Sequence, residues 1–185
     1  MLPIQIHLTL PPWLDEVADE SRRYVTDEER ITLAIALSRR NVDAGTGGPF
    51  GAAVFDEQGR LIAAAANRVV PQTCSVAHAE MLAYMAAQQR LSRYRLNEGG
   101  GRYTLATSAQ PCCQCFGATV WAGIDELLIG ARAEDVEELT EFDEGPLPAD
   151  WVGELERRGI TVRRDILRNE ARAVLAHYGQ IGPNY

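Results

Sequence analysis

The chain has few cysteines, no long apolar run, no basic excess and no internal repeats, and each absence removes a class of protein. Four cysteines occur among 185 residues, and Cys74 stands far along the chain from the other three, so a disulfide framework is not expected. No apolar stretch is long enough to span a bilayer. The opening MLPIQIHLTLPPWLDEV has no positive n-region, and its apolar part runs into prolines and acids, unlike a signal peptide. The expectation is a cytoplasmic protein without a membrane partner, whose thiols stay reduced. A formal net charge of −8 and a pI near 4.9 lack the basic footprint of a large nucleic-acid surface. The glycine-rich stretch GTGGPFG, residues 45–51, lacks the Lys-Ser/Thr of a phosphate-cradling loop.

What is present reads as one α/β domain over residues 1–185 without a linker. PPWLDEVADESRRYV suggests a short helix opened by proline at its first turn. Thr26 and Glu29 have capping-box spacing ahead of a helical stripe that Gly45 can end. GAAVFDEQGRLIAAAA reads as a β-hairpin turning near Gln58-Gly59. AHAEMLAYMAAQQRL is a helix, YTLATSA a strand, CCQCFGATVWAG a helix and DELLIGA a strand. AEDVEELTEF and WVGELERRG suggest helices, ITVRRDI a last strand and LRNEARAVLAHYG a last helix, with QIGPNY irregular. Helices alternating with strands place helices on both faces of one sheet.

SAQPCCQC, residues 108–115, carries the chemistry. Cys112 and Cys115 lie on one face of a helix starting near Pro111, where the helix N-terminus favours thiolates and hence zinc. Cys113 points elsewhere. Taken alone, C-x-x-C is also the pattern of a thioredoxin-type redox pair, and a structural zinc site would need two further ligands that His7 and His177, isolated near the chain ends, do not supply. VAHAEMLAY, residues 76–84, changes the balance: His78 and Glu80 also open a helix. One histidine and two cysteines leave the fourth position of a tetrahedral zinc open, the pattern of a catalytic site, with Glu80 beside it as base and not as ligand. H-x-E followed by P-C-x-x-C is the signature of zinc-dependent deaminases.

The chain resembles the cytidine-deaminase superfamily, and within it bacterial guanine deaminases. The likeness runs over roughly residues 28–185. It includes NVDAGTGGPFGAAVFDEQG, Asn67 in AAANRVV, TSAQPCCQCFGATVWA with Trp121, FDEGP at 142–146, and a terminal Tyr185. It implies a three-layer α/β/α sandwich around a mostly parallel mixed five-stranded sheet, one zinc per chain on His78, Cys112 and Cys115, and catalysis by Glu80 and Glu144. It implies further that Phe50, Asn67, the backbone at Ala79, Trp121 and Tyr185 bind the base. Residues 1–25 resemble an added extension, and 179–185 a tail that closes the site, in a homodimer whose C-terminal segment can swap between subunits. The implied reaction is hydrolysis of guanine to xanthine and ammonia. Gln110 stands where these families usually carry glutamate, and Glu144 where guanine deaminases typically carry aspartate. Without the resemblance, Phe50 and Trp121 read as core, Asn67 as a strand-end cap and Glu144 as a solvated acid. Rival readings are deamination of cytosine or of an amino-triazine such as ammeline, a tRNA adenosine deaminase (which this acidity opposes), and a non-enzymatic zinc or redox module (which Glu80 opposes).

Overall fold

The computed structural model describes residues 5–182. Two short helical pieces, two long helices and three strands follow in the order α1 (Leu14–Val17), α2 (Asp27–Asp43), β1 (Gly51–Asp56), β2 (Leu61–Ala66), α3 (Val69–Gln72), α4 (Ala79–Leu91) and β3 (Tyr103–Ala109). The chain continues through α5 (Cys113–Ala122), β4 (Glu126–Ala131), α6 (Ala133–Leu139), α7 (Trp151–Glu156), β5 (Thr161–Arg163) and α8 (Arg168–Ile181). The capping box at Thr26 and Glu29 forms as expected, and Gly59 turns the hairpin at φ +72°.

The sheet runs β2-β1-β3-β4-β5. Its pairings divide evenly: β1 is antiparallel to β2 and β3, while β3–β4 and β4–β5 are parallel. The sheet is therefore mixed but not mostly parallel, because the tight hairpin fixes one antiparallel pair and β1 meets β3 in the same sense. Its strands alternate between two cores. Ala53, Phe55 and Leu128 face α2, α6 and α8 through Ile31, Leu37, Val136 and Val174. Ala52, Val54, Leu127 and Ile129 face α4, α5 and α7 through Leu82, Ala83, Ala122 and Leu155.

Two boundaries differ from the sequence reading. α1 is a single turn beginning after the prolines, and α8 continues through Ile181, so residues 179–181 belong to the helix and not to a tail. Tyr185 lies outside the described residues. Within them, no helix is long and apolar enough to cross a membrane. Registers Gly51↔Ala66 and Ala109↔Ala131 bring the start of β1 and the ends of β2, β3 and β4 to one edge. The segments leaving that edge build the site.

Candidate active site

His78 is the N-cap residue of α4 and Cys112 that of α5, so both helices start at the same place. Unpaired N–H groups at such ends favour negative charge. The Nδ1 of His78 lies 3.5 Å from each of the sulfurs of Cys112 and Cys115. All three donor atoms fall within 4.8 Å of one another. A tetrahedral zinc with Zn–N near 2.05 Å and Zn–S near 2.3 Å sets its N and S ligands about 3.6 Å apart, so the triad fits one ion. Among the described residues no carboxylate joins this set of mutually close donors. His78, Cys112 and Cys115 are thus positioned to bind one metal ion and leave a position open. Cys113 is exposed and takes no part, as expected.

α4 and α5 are tied together beneath the triad. Thr119 donates its hydroxyl to the Cys115 carbonyl at 2.8 Å, and the buried Tyr84 hydroxyl therefore donates to Thr119 at 2.7 Å. This fixes the H-x-E helix against the cysteine helix. The acidic loop is fastened to the same place: the Cys113 N–H donates to the Glu144 carbonyl at 2.9 Å. Gly145, at φ +68°, lies so close to Cys113 that an added Cβ would sit 2.6 Å from its sulfur.

Both carboxylates of interest are buried. Burial, reinforced by the Cys112 charge, pushes Glu80 up to about 7. Burial again, then Cys112 and Glu80, push Glu144 up to about 8. The hydrogen bond from Cys115 holds Cys112 down to about 4 against burial, with His78 assisting. Cys115 moves the opposite way, because it donates that proton and is buried. Burial lowers the His78 imidazole, but its bond to Cys112 and the surrounding acids outweigh this and leave it raised. A cation bound by the triad would draw both thiolates and both acids toward their charged forms.

The triad opens into a cavity of about 680 Å³, within the range of small-molecule sites. Phe50, Asn67, His78, Glu80, Gln110, Cys112 and Glu144 all line it. Asn67 turns its carboxamide oxygen toward the Val69 and Gly48 N–H groups, at 3.2 and 3.4 Å. Ala79 is fully buried at the first position of α4. The structure does not bring Trp121 here: it is 75% exposed on α5 and does not line the cavity. Six residues beyond Cys115, it points away from the face that Cys115, Thr119 and Ala122 bury.

The sequence reading missed one wall altogether. Val69, Val70, Thr73 and Cys74, from α3 and the loop after it, line the cavity together with the acidic loop. Phe142 also lines it, with its ring 5.5 Å from Phe50 and 5.8 Å from Tyr178. FDEGP offered Phe142 a signal, since it precedes Glu144 by two residues. The α3 wall had none, because its position depends on how 68–77 folds back onto itself.

A model of the family described as the cytidine and deoxycytidylate deaminase zinc-binding region matches residues 25–131, more than half of the chain. Guanine deaminase from Nitrosomonas europaea is similar over nearly its whole structure, with 45% identity, a TM-score of 0.91 and coverage of 97% of this chain and 99% of that one. A variant of NE0047 solved with 8-azaguanine is 46% identical, with a TM-score of 0.90 and coverage of 96% and 98%. Guanine deaminase of Bacillus subtilis (strain 168) is 36% identical over 111 residues, which are 60% of this chain and 68% of that protein. With His78, Glu80, Cys112 and Cys115 gathered at two helix starts, these likenesses make the chain a member of the zinc-dependent cytidine and deoxycytidylate deaminase family.

Proposed function

We propose that this deaminase acts on a free nucleobase and converts guanine to xanthine and ammonia. The observation that carries the reading is the meeting, in one cavity, of a three-donor metal site with two buried carboxyls, an aromatic wall at Phe50 and the carboxamide of Asn67. The near full-length similarity to the Nitrosomonas europaea guanine deaminase supports it.

His78, Cys112 and Cys115 would hold a zinc ion, which would serve as a Lewis acid for activating water at neutral pH. Glu80 accepts a proton from the attacking water and delivers it to the ring nitrogen next to C2, as oxygen adds to C2. Glu80 then takes the proton of the new C2 hydroxyl and passes it, directly or through Glu144, which holds the exocyclic amine, to that amine, so the C2–N bond breaks, the C2 carbonyl forms and ammonia leaves. Phe50 and the His78 ring flank the base, while Asn67 and the N–H of Ala79 bond its edge. Three protein ligands and a buried acid favour this over a structural zinc module, which needs four ligands and no base.

The finer expectations belong to the same reading. The enzyme works in the cytoplasm as a homodimer. A 75% exposed Trp121 is the kind of side chain that subunit interfaces bury. Gly182 and Ile181 lie in a groove with Val70, which also borders the main cavity, so the described chain ends beside the proposed pocket. This supports a tail that shuts over the base, with Tyr185 contributing.

The test is ammonia release from guanine, guanosine, cytosine, cytidine, adenine and ammeline, compared by kcat/KM. Guanine should lead, and guanosine should be poor. Preference for any nucleoside would refute the free-base reading, and preference for ammeline would replace guanine as substrate.

A further inference from the structure

The N-terminal segment lies ahead of the residues that the family match covers, yet it is bonded to both ends of α3, which lines the same cavity as His78 and Cys112. Gln72, the last residue of α3, accepts the Thr9 N–H at 3.2 Å and donates to the Thr9 hydroxyl at 3.0 Å. Arg68, the N-cap residue of α3, donates from Nε to the Thr9 carbonyl at 3.2 Å. Thr9 therefore bridges the two ends of α3. Leu8 and Leu10 on either side pack against the core cluster that Cys74 and Ile62 also contact. Residue 9 itself is exposed, as a residue tied mainly through its backbone can be.

A second line of bonds runs from the same segment to Asn67. The buried Trp13 donates its indole N–H to the Thr46 hydroxyl at 2.9 Å, and Thr46 donates on to the Asn41 side-chain oxygen at 2.8 Å. The Asn41 amide then donates to the main-chain carbonyls of Gly48 at 2.8 Å and Asn67 at 2.9 Å. Asn41 is fully buried. Arg68 joins the two lines, since its Nη1 donates to the Thr46 carbonyl at 2.6 Å while its Nε holds Thr9. Gly47 completes the packing: at φ +156° it rests on the Asn67 carbonyl, where any Cβ would collide. The wall closes on the metal side as well, because the Arg68 N–H donates to the Ala77 carbonyl at 2.9 Å, one residue before His78.

We propose that residues 8–13 form a strap that sets the substrate wall, and that Trp13, Asn41, Arg68 and Gln72 are positioning residues for Asn67 and α3. The inference rests on the reading that the base occupies this cavity. None of the four donates to the metal triad, so their loss should weaken base binding more than chemistry. A bond network that holds two segments in one arrangement lowers the ordering cost of binding. Losing a few neutral hydrogen bonds should change affinity by about tenfold.

The test uses the full zinc-loaded chain. Trp13→Phe removes the indole N–H and keeps an aromatic ring, while Gln72→Leu removes both ties to Thr9 and keeps the volume. In the double variant, KM for guanine should rise about tenfold with kcat changed by less than about threefold and zinc content unchanged. The second readout needs no catalysis. Cys74 lines the cavity at the end of α3 and is partly accessible. In a Cys113→Ser background, N-ethylmaleimide labelling of Cys74, mapped by peptide mass spectrometry, should accelerate about tenfold in the substrate-free double variant. A purely structural role would lower Tm and leave both readouts at wild-type values well below it. An unchanged KM, or an unchanged Cys74 labelling rate, overturns the proposal. If the double variant fails to fold, Trp13→Phe alone should show both effects at about threefold. If the wild type does not turn over guanine, the substrate reading fails, and the Cys74 rate still decides whether the strap holds the wall.

Discussion

Glu80→Gln removes a charge and a proton carrier while keeping the shape of the side chain. If Glu80 moves both protons, turnover should fall by about 10²–10⁴-fold, equivalent to about 3–5 kcal/mol of transition-state stabilisation. Zinc should stay at one per chain, since Glu80 is not among the mutually close donors. The same variant has a stability signature in chelator-treated protein. Burial raises Glu80 from 4.5 to about 7, so the folded state keeps a proton that the unfolded state releases. Its contribution to stability is therefore lost as pH rises from about 4.5 and levels off above about 7. The full shift corresponds to at most about 3 kcal/mol, or roughly 6–12 °C in Tm for a chain of this size. Cys112, held down to about 4, acts in the opposite direction over that range. The difference between wild type and variant is accordingly what reads Glu80: chelated Glu80→Gln should gain on wild type between pH 5 and 8. Turnover near that of wild type would remove Glu80 from the proton path. Parallel melting at both pH values would show that its carboxyl is not desolvated.

Cys112→Ala and Cys115→Ala should lose zinc by elemental analysis while Cys113→Ala keeps it, and full retention in Cys112→Ala would sink the triad. Glu144→Gln should lower kcat at least about tenfold without loss of metal, as expected for a charged hydrogen bond or a proton relay at the amine. Gly145→Ala should disturb the same group from its backbone, since φ is +68° and the new Cβ meets the Cys113 sulfur. Cys113→Ala should partly restore its activity, and equal activity of Gly145→Ala and wild type would dissociate this loop from catalysis. Asp135→Asn should destabilise the fold by about 2–3 kcal/mol in urea melts. Its carboxylate, 1% exposed, takes the Arg132 N–H at 2.8 Å, two bonds from Arg168 at 2.7 Å, and Arg172. The Arg168 bond in particular depresses its carboxyl, so this stability is present above about pH 4 and lost as pH falls further, a loss that the variant should not show.

The metal triad was legible in the sequence because each half of it is local. His78 and Glu80 sit within one helix start, Cys112 and Cys115 within another, and spacing along a helix fixes which side chains share a face. The hairpin was legible for a similar reason, as Gly59 supplies the left-handed residue that its turn needs. The sheet's proportions were not, since pairing sense between β1 and β3 depends on where a crossover lands and no residue pattern within either strand records it. Trp121 differs from these: resemblance implies that it binds the base, whereas within one chain helical geometry turns it away from Thr119 and Ala122, and it stands 75% exposed.

The contrast between the two walls of the cavity follows from the same physics. Proton transfer and metal binding need a few atoms at fixed separations, and a helix start provides these within four residues. Holding a flat base needs surfaces on two sides, and the cavity walls proposed for that role come from segments distant in sequence. Phe50 precedes β1, Asn67 and α3 follow β2, and Phe142 and Glu144 follow α6. Each is placed by contacts with elements elsewhere: Asn67 through Asn41 of α2, Glu144 through Cys113 of α5, and α3 through Thr9. Substitutions that retune which ring is accepted should therefore fall in these supporting contacts and in residues 67–76 and 141–144. Substitutions at the triad should abolish turnover of every ring alike. A variant scan scored on guanine and on ammeline in parallel would separate the two groups. Triad or Glu80 variants that exchange one substrate for the other would contradict this division of labour.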